Sequence, residues 1–403
     1  MRLGAAVLIC AALAGPAAGQ TGGKVKPGIE VLLGKEIAKV KGKRVGLITN
    51  PTGVTSDLTA NVDALIAAGV KVTALFGPEH GVRGDAYAGA KVSDEKDPVT
   101  GVPVYSLYGK VNRPTPEMMK NVDVLLYDIQ DVGSRSYTYI NTMGRAMQSA
   151  KEAGKPFLVL DRPCPFGGVL VDGNILEKTS GIGMYPVPYV YGMTCGELAQ
   201  YYNAEFKVGC DLTVIPLEGW KRGMTFRETG LPWVPTSPHV PHAETALAYN
   251  ILGIMGELQT VNEGVGYTMP FEIFGAEWMD GRRIAEELNR RNLPGLRFRP
   301  MSWEGYYRAV AGKKLNGCQV HVVEPVKVQP VAAQMHILEV IRKIHPDRMI
   351  FDPKRTGMFD NAMGGDRERK MLEAGKGAEA IIATWKKPLD DFMTTRKKYL
   401  IYP

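Results

Sequence analysis

From residue 44 onward the chain alternates short apolar runs with amphipathic stretches. RVGLIT (44–49), KVTALF (71–76), VPVYSL (102–107), DVLLYDI (123–129) and PFLVLD (156–161) are nearly continuous in apolar residues, the pattern of strands buried on both faces. Between them, DLTANVDALIAAG predicts a helix capped by Ser56 or Asp57 and closed by Gly69, PTPEMMKN a short helical segment, and YINTMGRAMQSAKEAG a helix closed by Gly154. Alternating β and α units of this length imply a parallel sheet with helices on both faces. The expected fold class is α/β, with a Rossmann-like first domain.

The second half mixes its elements. Thr194 and Glu197 have capping-box spacing ahead of LAQYYNAEF, and DLTVIPL reads as a strand. The Pro-rich LPWVPTSPHVPH precedes the helical AETALAYNILGIMGEL. GRRIAEELNRR and VAAQMHILEVIRKI then read as helices around the strand CQVHVVEP. This predicts a Rossmann-like domain over residues 27–190 and a smaller auxiliary α/β domain over 191–403.

Residues 1–19, MRLGAAVLICAALAGPAAG, place Arg2 before an apolar run and end in small residues, which predicts a signal peptide cut before Gln20. The run is too short for a retained membrane span, so the mature protein is expected to be soluble and either periplasmic or secreted. Cys10 follows Ile9 inside the run, which argues against lipoprotein-type cleavage. Cleavage removes one of the seven net positive charges, and the remaining Lys and Arg are scattered among acidic neighbours. That pattern argues against nucleic acid as a partner and is compatible with an anionic cell-wall polymer. Cys164, Cys195, Cys210 and Cys318 have no CxxC or metal-type spacing and read as buried thiols, with one disulfide as the alternative in an exported chain.

Polar residues follow the predicted strands on one edge. Asn50 follows the first strand, and Glu79 and His80 the second, in LFGPEHGVRGDAYAGA, where Arg83 and Asp85 also lie among glycines. Asp128, Gln130 and Asp131 follow the fourth strand, Asp161 and Arg162 the fifth. In open parallel sheets ligands bind beyond the carboxyl ends of the strands, so this edge is the candidate site. GLITNPTGVTSD lacks a G-x-G-x-x-G and no G-x-S-x-G occurs, which argues against a dinucleotide cofactor and against serine-hydrolase chemistry. Several carboxylates with a histidine and an arginine suit glycoside hydrolysis. A metal-dependent hydrolase is the alternative, although no H-x-H or H-E-x-x-H grouping supports a metal. Arg135, Tyr137 and Tyr139 follow in SRSYTYI, and TVNEGVGYTMPFEIFGAEW (260–278) adds Asn262, Glu263 and Glu272 among aromatic residues suited to stacking on sugars.

GLITNPTGV, LFGPEHGVRGDAYAGA, LLYDIQDVGSRSYTYI, LDRPCPFGGVLVDG, YGMTCGELA and NEGVGYTMPFE are collinear blocks in which the chain resembles the exo-β-N-acetylmuramidase family, from about residue 27 to the terminal YLIYP. The resemblance implies a cleft between the two domains, no cofactor, and release of N-acetylmuramic acid from non-reducing ends of peptidoglycan fragments or muropeptide-derived sugars. It maps the general acid to Glu79, with Asp128, Asp131 and Glu263 as further catalytic carboxylates. Asn50, His80, Arg83, Gln130, Arg135, Tyr137, Asp161, Arg162, Asn262 and Glu272 are then the substrate contacts. The chain departs from the family pattern at Cys164 (Asn in the family), Val190-Tyr191 (Arg-His), and Val265 and Met269 (both Arg). Arg135, Arg162 or Arg83 is therefore the expected partner of the lactyl carboxylate. A glycosidase for a neutral amino sugar, or a sugar-binding protein without turnover, are the alternatives these departures raise.

Overall fold

The computed structural model describes residues 25–83, 95–348 and 350–403; the leader segment and Asp85 lie outside the described residues. Strands β1 (Arg44–Thr49), β2 (Lys71–Gly77), β3 (Glu95–Lys96), β4 (Pro103–Ser106), β5 (Val124–Asp128), β6 (Phe157–Leu160), β7 (Asp172–Ile175), β8 (Pro188–Val190) and β9 (Leu212–Ile215) are followed by β10 (Ile273–Ala276), β11 (Leu296–Glu304) and β12 (Lys314–Val322). The main sheet runs β3-β4-β2-β1-β5-β6-β9. All its pairings are parallel except the edge pair β3–β4. Counting only the parallel strands along the chain, the order is 3-2-1-4-5-6, the Rossmann arrangement, in which the direction of winding reverses between β1 and β5.

The period of two along each strand builds two cores. Val45, Leu47, Leu75, Leu126 and Leu160 face the helices Gly28–Gly34 and Asn61–Ala67. Ile48, Phe76, Leu125, Tyr127 and Val159 face the helices Tyr139–Glu152 and Cys195–Glu205. The sheet continues past residue 190, since β9 is its far edge. Thr194 and Glu197 form the capping box that their spacing predicts.

Two local expectations are corrected. PTPEMMKN forms turns and no helix. The second helix starts only at Asn61 and has no side-chain cap; Asp57 instead accepts from the Thr59 amide and the Thr55 hydroxyl within the preceding turn.

The second half is built on the antiparallel sheet β10-β12-β11. β11, LRFRPMSWE, escapes notice in the sequence because Pro300 interrupts it. As an edge strand it has no need of that amide, and Leu296, Phe298 and Trp303 still point inward. Helices Ala243–Gly256 and Pro330–Ile344 pack against each other beside this sheet. No helix among the described residues is long and apolar enough to cross a membrane.

Candidate active site

At the reversal point between β1 and β5, where a nucleotide would lie, the space is filled by the protein's own polar groups. Asp128 is fully buried: its Oδ1 accepts from Arg162 Nε at 2.6 Å and its Oδ2 from Arg162 Nη2 at 3.1 Å and Asn61 Nδ2 at 2.8 Å. Arg162 Nη2 also donates to the Val54 carbonyl at 2.8 Å. Gln130 Nε2 donates to the carbonyls of Pro163 at 2.7 Å and Asp131 at 2.9 Å, and its amide donates to Thr52 Oγ1 at 2.8 Å. Asn50 Oδ1 accepts from the Thr52 amide and hydroxyl at 3.0 and 2.5 Å. The loops after β1, β5 and β6 are thereby tied into one rigid edge.

Asp161 is likewise turned inward. Its Oδ1 accepts from the amides of Arg162 (3.0 Å) and Gly196 (2.8 Å), and its Oδ2 from Thr194 Oγ1 (2.6 Å) and Tyr402 Oη (2.5 Å). It anchors the start of helix Cys195–Glu205 and the chain's last residues. Burial pushes this carboxyl up to about 6 against those four donors.

The three arginines expected to meet a substrate carboxylate are all committed elsewhere, which corrects that expectation. Arg135 is 1% exposed; Nη1 donates to the carbonyls of Asn174 (2.7 Å) and Val187 (2.9 Å), and Nη2 to Met363 O (2.5 Å), so it bolts the first sheet's loop to the C-terminal helices. Arg162 is held on Asp128. Arg83 makes a two-pronged ion pair with Asp97, Nε–Oδ1 2.8 Å and Nη2–Oδ2 2.9 Å, which holds the Asp97 carboxyl down to about 2. Asp128, Asp161, Gln130, Arg135 and Arg162 read as site residues because they follow strands, and their side chains hold the scaffold together.

Glu79 differs from its neighbours on the same edge. It is half-buried at the end of β2, and its Oε2 accepts from Thr138 Oγ1 at 2.9 Å. The phenol of Tyr108 is pushed up to about 12 by burial and by the adjacent Glu79 carboxylate. His80 follows with φ +73°, a left-handed conformation that costs a non-glycine residue roughly 1–2 kcal/mol and turns the chain sharply beside the carboxylate.

From Glu79 a chain of contacts leads to a cleft of about 570 Å³. Thr138 adjoins Tyr137, whose hydroxyl donates to Thr236 Oγ1 at 2.9 Å and whose ring meets Tyr249 edge-on at 5.5 Å. Tyr249 shares a 3.1 Å hydrogen bond with Ser136 and lines the cleft with Glu257, Asn262, Glu263, Phe271 and Trp278. Asn262 shapes its own loop, donating to Val265 O at 2.8 Å and accepting from the Gly264 amide at 3.0 Å. Glu263 is half-buried in the cleft wall. Burial raises the Glu257 carboxyl from its ordinary value. Glu272 is set apart: it lines a separate, more apolar cleft of about 420 Å³ with Leu247, Val320 and His321. Tyr249 and Glu257 went unnoticed in the sequence, where a tyrosine and a glutamate in a helical stretch carry no signal of which face they occupy.

Asp131 stands between the two groups. It is buried, its Oδ2 accepts from the Gly133 amide at 2.7 Å and from the Tyr191 hydroxyl, and its Oδ1 has no hydrogen-bond partner among the described residues. Burial pushes it up to about 6. Among the described residues, Cys164, Cys195, Cys210 and Cys318 are buried free thiols. Among the described residues no cluster of three or more His, Cys, Asp or Glu is placed to hold a metal.

Comparison with known proteins adds an independent line. The N-terminal family model for exo-beta-N-acetylmuramidase NamZ matches residues 45–244 and the C-terminal one residues 247–402. The chain is 47% identical over 382 residues to the peptidoglycan beta-N-acetylmuramidase NamZ of Bacillus subtilis (strain 168), covering 94% of this chain and 92% of that protein. Two crystal structures of DUF1343 family proteins from Bacteroides fragilis NCTC 9343 are similar over 94% of this chain and 99% of theirs. One has a TM-score of 0.90 at 45% identity, the other 0.72 at 30%.

Proposed function

The chain belongs to the exo-β-N-acetylmuramidase family of glycoside hydrolases, and on that premise we propose that it releases N-acetylmuramic acid from the non-reducing ends of peptidoglycan fragments, with Glu79 as general acid. The observation that carries the role of Glu79 is its contrast with Asp128 and Asp161 on the same sheet edge. Those carboxylates are fully buried, whereas Glu79 is half-buried, its Oε2 accepting from Thr138 next to the Tyr137–Tyr249 contact that leads to the cleft. As the bond from the sugar's anomeric carbon to the bridging oxygen breaks, Glu79 gives its proton to that oxygen, which leaves as an alcohol, and water supplies the hydroxyl that the anomeric carbon gains and the proton that restores the acid. Glu263, on the cleft wall, is the second carboxylate of the pair that such hydrolysis uses. Asn262, Tyr137 and Tyr249 shape the surface against which the sugar lies, and His80 fixes the direction of the Glu79 loop.

Hydrolysis of a synthetic β-N-acetylmuraminide by the wild type, with release of its aglycone, is the test; sugar binding without release would overturn the catalytic reading. We further propose that the protein is exported, because residues 1–19 have the pattern of a cleavable leader. Recovery from the periplasm or the medium with Gln20 at the N-terminus is the expected result, and an intact Met1 in the soluble cytoplasm would contradict it.

A further inference from the structure

With Arg83, Arg135 and Arg162 committed to internal partners, the substrate's lactyl carboxylate needs another cation. The cleft's other charged groups make the need acute: Glu257, Glu263 and Glu277 all line it. An anionic substituent placed among three carboxylates is repelled unless a cation receives it. Among the described residues, Lys313 and Arg355 are the cations lining this cleft.

The two are held differently. Each has a carboxylate within 4 Å, Glu277 at 4.0 Å from the Lys313 ammonium and Asp352 at 3.7 Å from Arg355 Nε. Arg355 is in addition oriented by a neutral group, since its Nη1 donates to Gln259 Oε1 at 2.8 Å. Its side chain remains 53% exposed. The guanidinium is thus oriented by Gln259, and a planar fork suits a carboxylate better than a point charge does.

Gln259 supplies a second observation. It sits at φ +57°, just after the helix Ala243–Gly256, in the left-handed region where glycine would be free of strain. Phe271, on the same cleft, is also left-handed at φ +62°. A glutamine retained where glycine fits better is consistent with use of its side chain, and the use visible here is the hold on Arg355.

We propose that Arg355, oriented by Gln259, is the specificity residue that receives the lactyl carboxylate of N-acetylmuramic acid. The inference rests on the muramidase reading for the identity of the ligand, and its test does not depend on turnover. Calorimetry on the full chain would compare N-acetylmuramic acid with its lactyl carboxamide, the same sugar without the charge. The wild type should favour the acid by about ten- to a hundredfold, the range of a charge-assisted contact. Arg355→Met should bring that ratio to within about twofold of unity, Arg355→Lys should retain part of it, and Gln259→Gly should leave it intermediate. A preference that survives in Arg355→Met, or that is lost in Lys313→Met instead, would overturn the assignment, as would a wild type that does not distinguish the two ligands. Failure to hydrolyse any muraminide would overturn the proposed reaction and leave this binding comparison readable.

Discussion

Two sets of carboxylates lie within one molecule and behave in opposite ways. At the ends of β5 and β6, Asp128 and Asp161 are fully buried and each meets several donors, and removing either would strip partners from buried groups. At the end of β2 and on the cleft wall, Glu79 and Glu263 are only half-buried. All but Glu263 follow strands of the same parallel sheet. The carboxyl edge of this sheet therefore carries carboxylates of two kinds, and burial separates those that hold the scaffold together from the one that keeps some exposure.

The contrast can be broken by mutation. Glu79→Gln should lower turnover by roughly 10²–10⁴-fold, the usual contribution of a general acid, with the unfolding midpoint unchanged. Retention of more than about a tenth of wild-type turnover would remove Glu79 from that role. Asp128→Ala should do the reverse and destabilise the fold by about 3–5 kcal/mol, because Arg162 is left as an uncompensated buried charge. Urea unfolding of the two variants side by side reads this dissociation directly. Equal stability for both would mean that the strand-edge network carries no structural load.

Asp131 sharpens the comparison through pH. Its folded pKa, pushed up to about 6, lies above the roughly 3.9 of an unfolded aspartate, so between these values the folded state binds more protons than the unfolded state. Its contribution therefore favours folding at low pH and is lost as pH rises from about 4 to about 6. Asp131→Asn can keep the bonds to Gly133 and Tyr191 through its amide oxygen and places its nitrogen where Oδ1 has no partner. The variant's stability relative to wild type should accordingly rise with pH across that window, by on the order of 2 kcal/mol. A pH-independent difference would mean that Asp131 is not held protonated by burial. The smallest effect is expected at Glu272, whose separate cleft should leave kcat/KM of Glu272→Gln within about twofold of wild type.

Much of the scaffold was legible in the sequence because apolar runs with a period of two report burial locally. The five strands of the first half, the capping box at Thr194 and Glu197, and the concentration of polar groups at one sheet edge all appear in the structure. What the sequence could not convey is who meets whom. Asp128 and Glu79 look alike as acids after strands, and only the approach of Arg162 from β6 and Asn61 from a helix separates them. Arg135 looked like a ligand for an anion and proved to be a bolt, because the carbonyls that occupy it come from residues 174, 187 and 363. Arg355 and Tyr249 went unnoticed for the same reason, since folding brings them to the cleft and no local pattern marks them.

The central claim is that this cleft removes one N-acetylmuramic acid at a time from a non-reducing end. Mass spectrometry of the products from a defined oligosaccharide, with N-acetylmuramic acid at its non-reducing end and alternating N-acetylglucosamine beyond it, tests that claim directly. Free N-acetylmuramic acid and a chain shortened by one residue are the expected first products, absent with Glu79→Gln. Internal cleavage into longer fragments, or release of N-acetylglucosamine in its place, would contradict it.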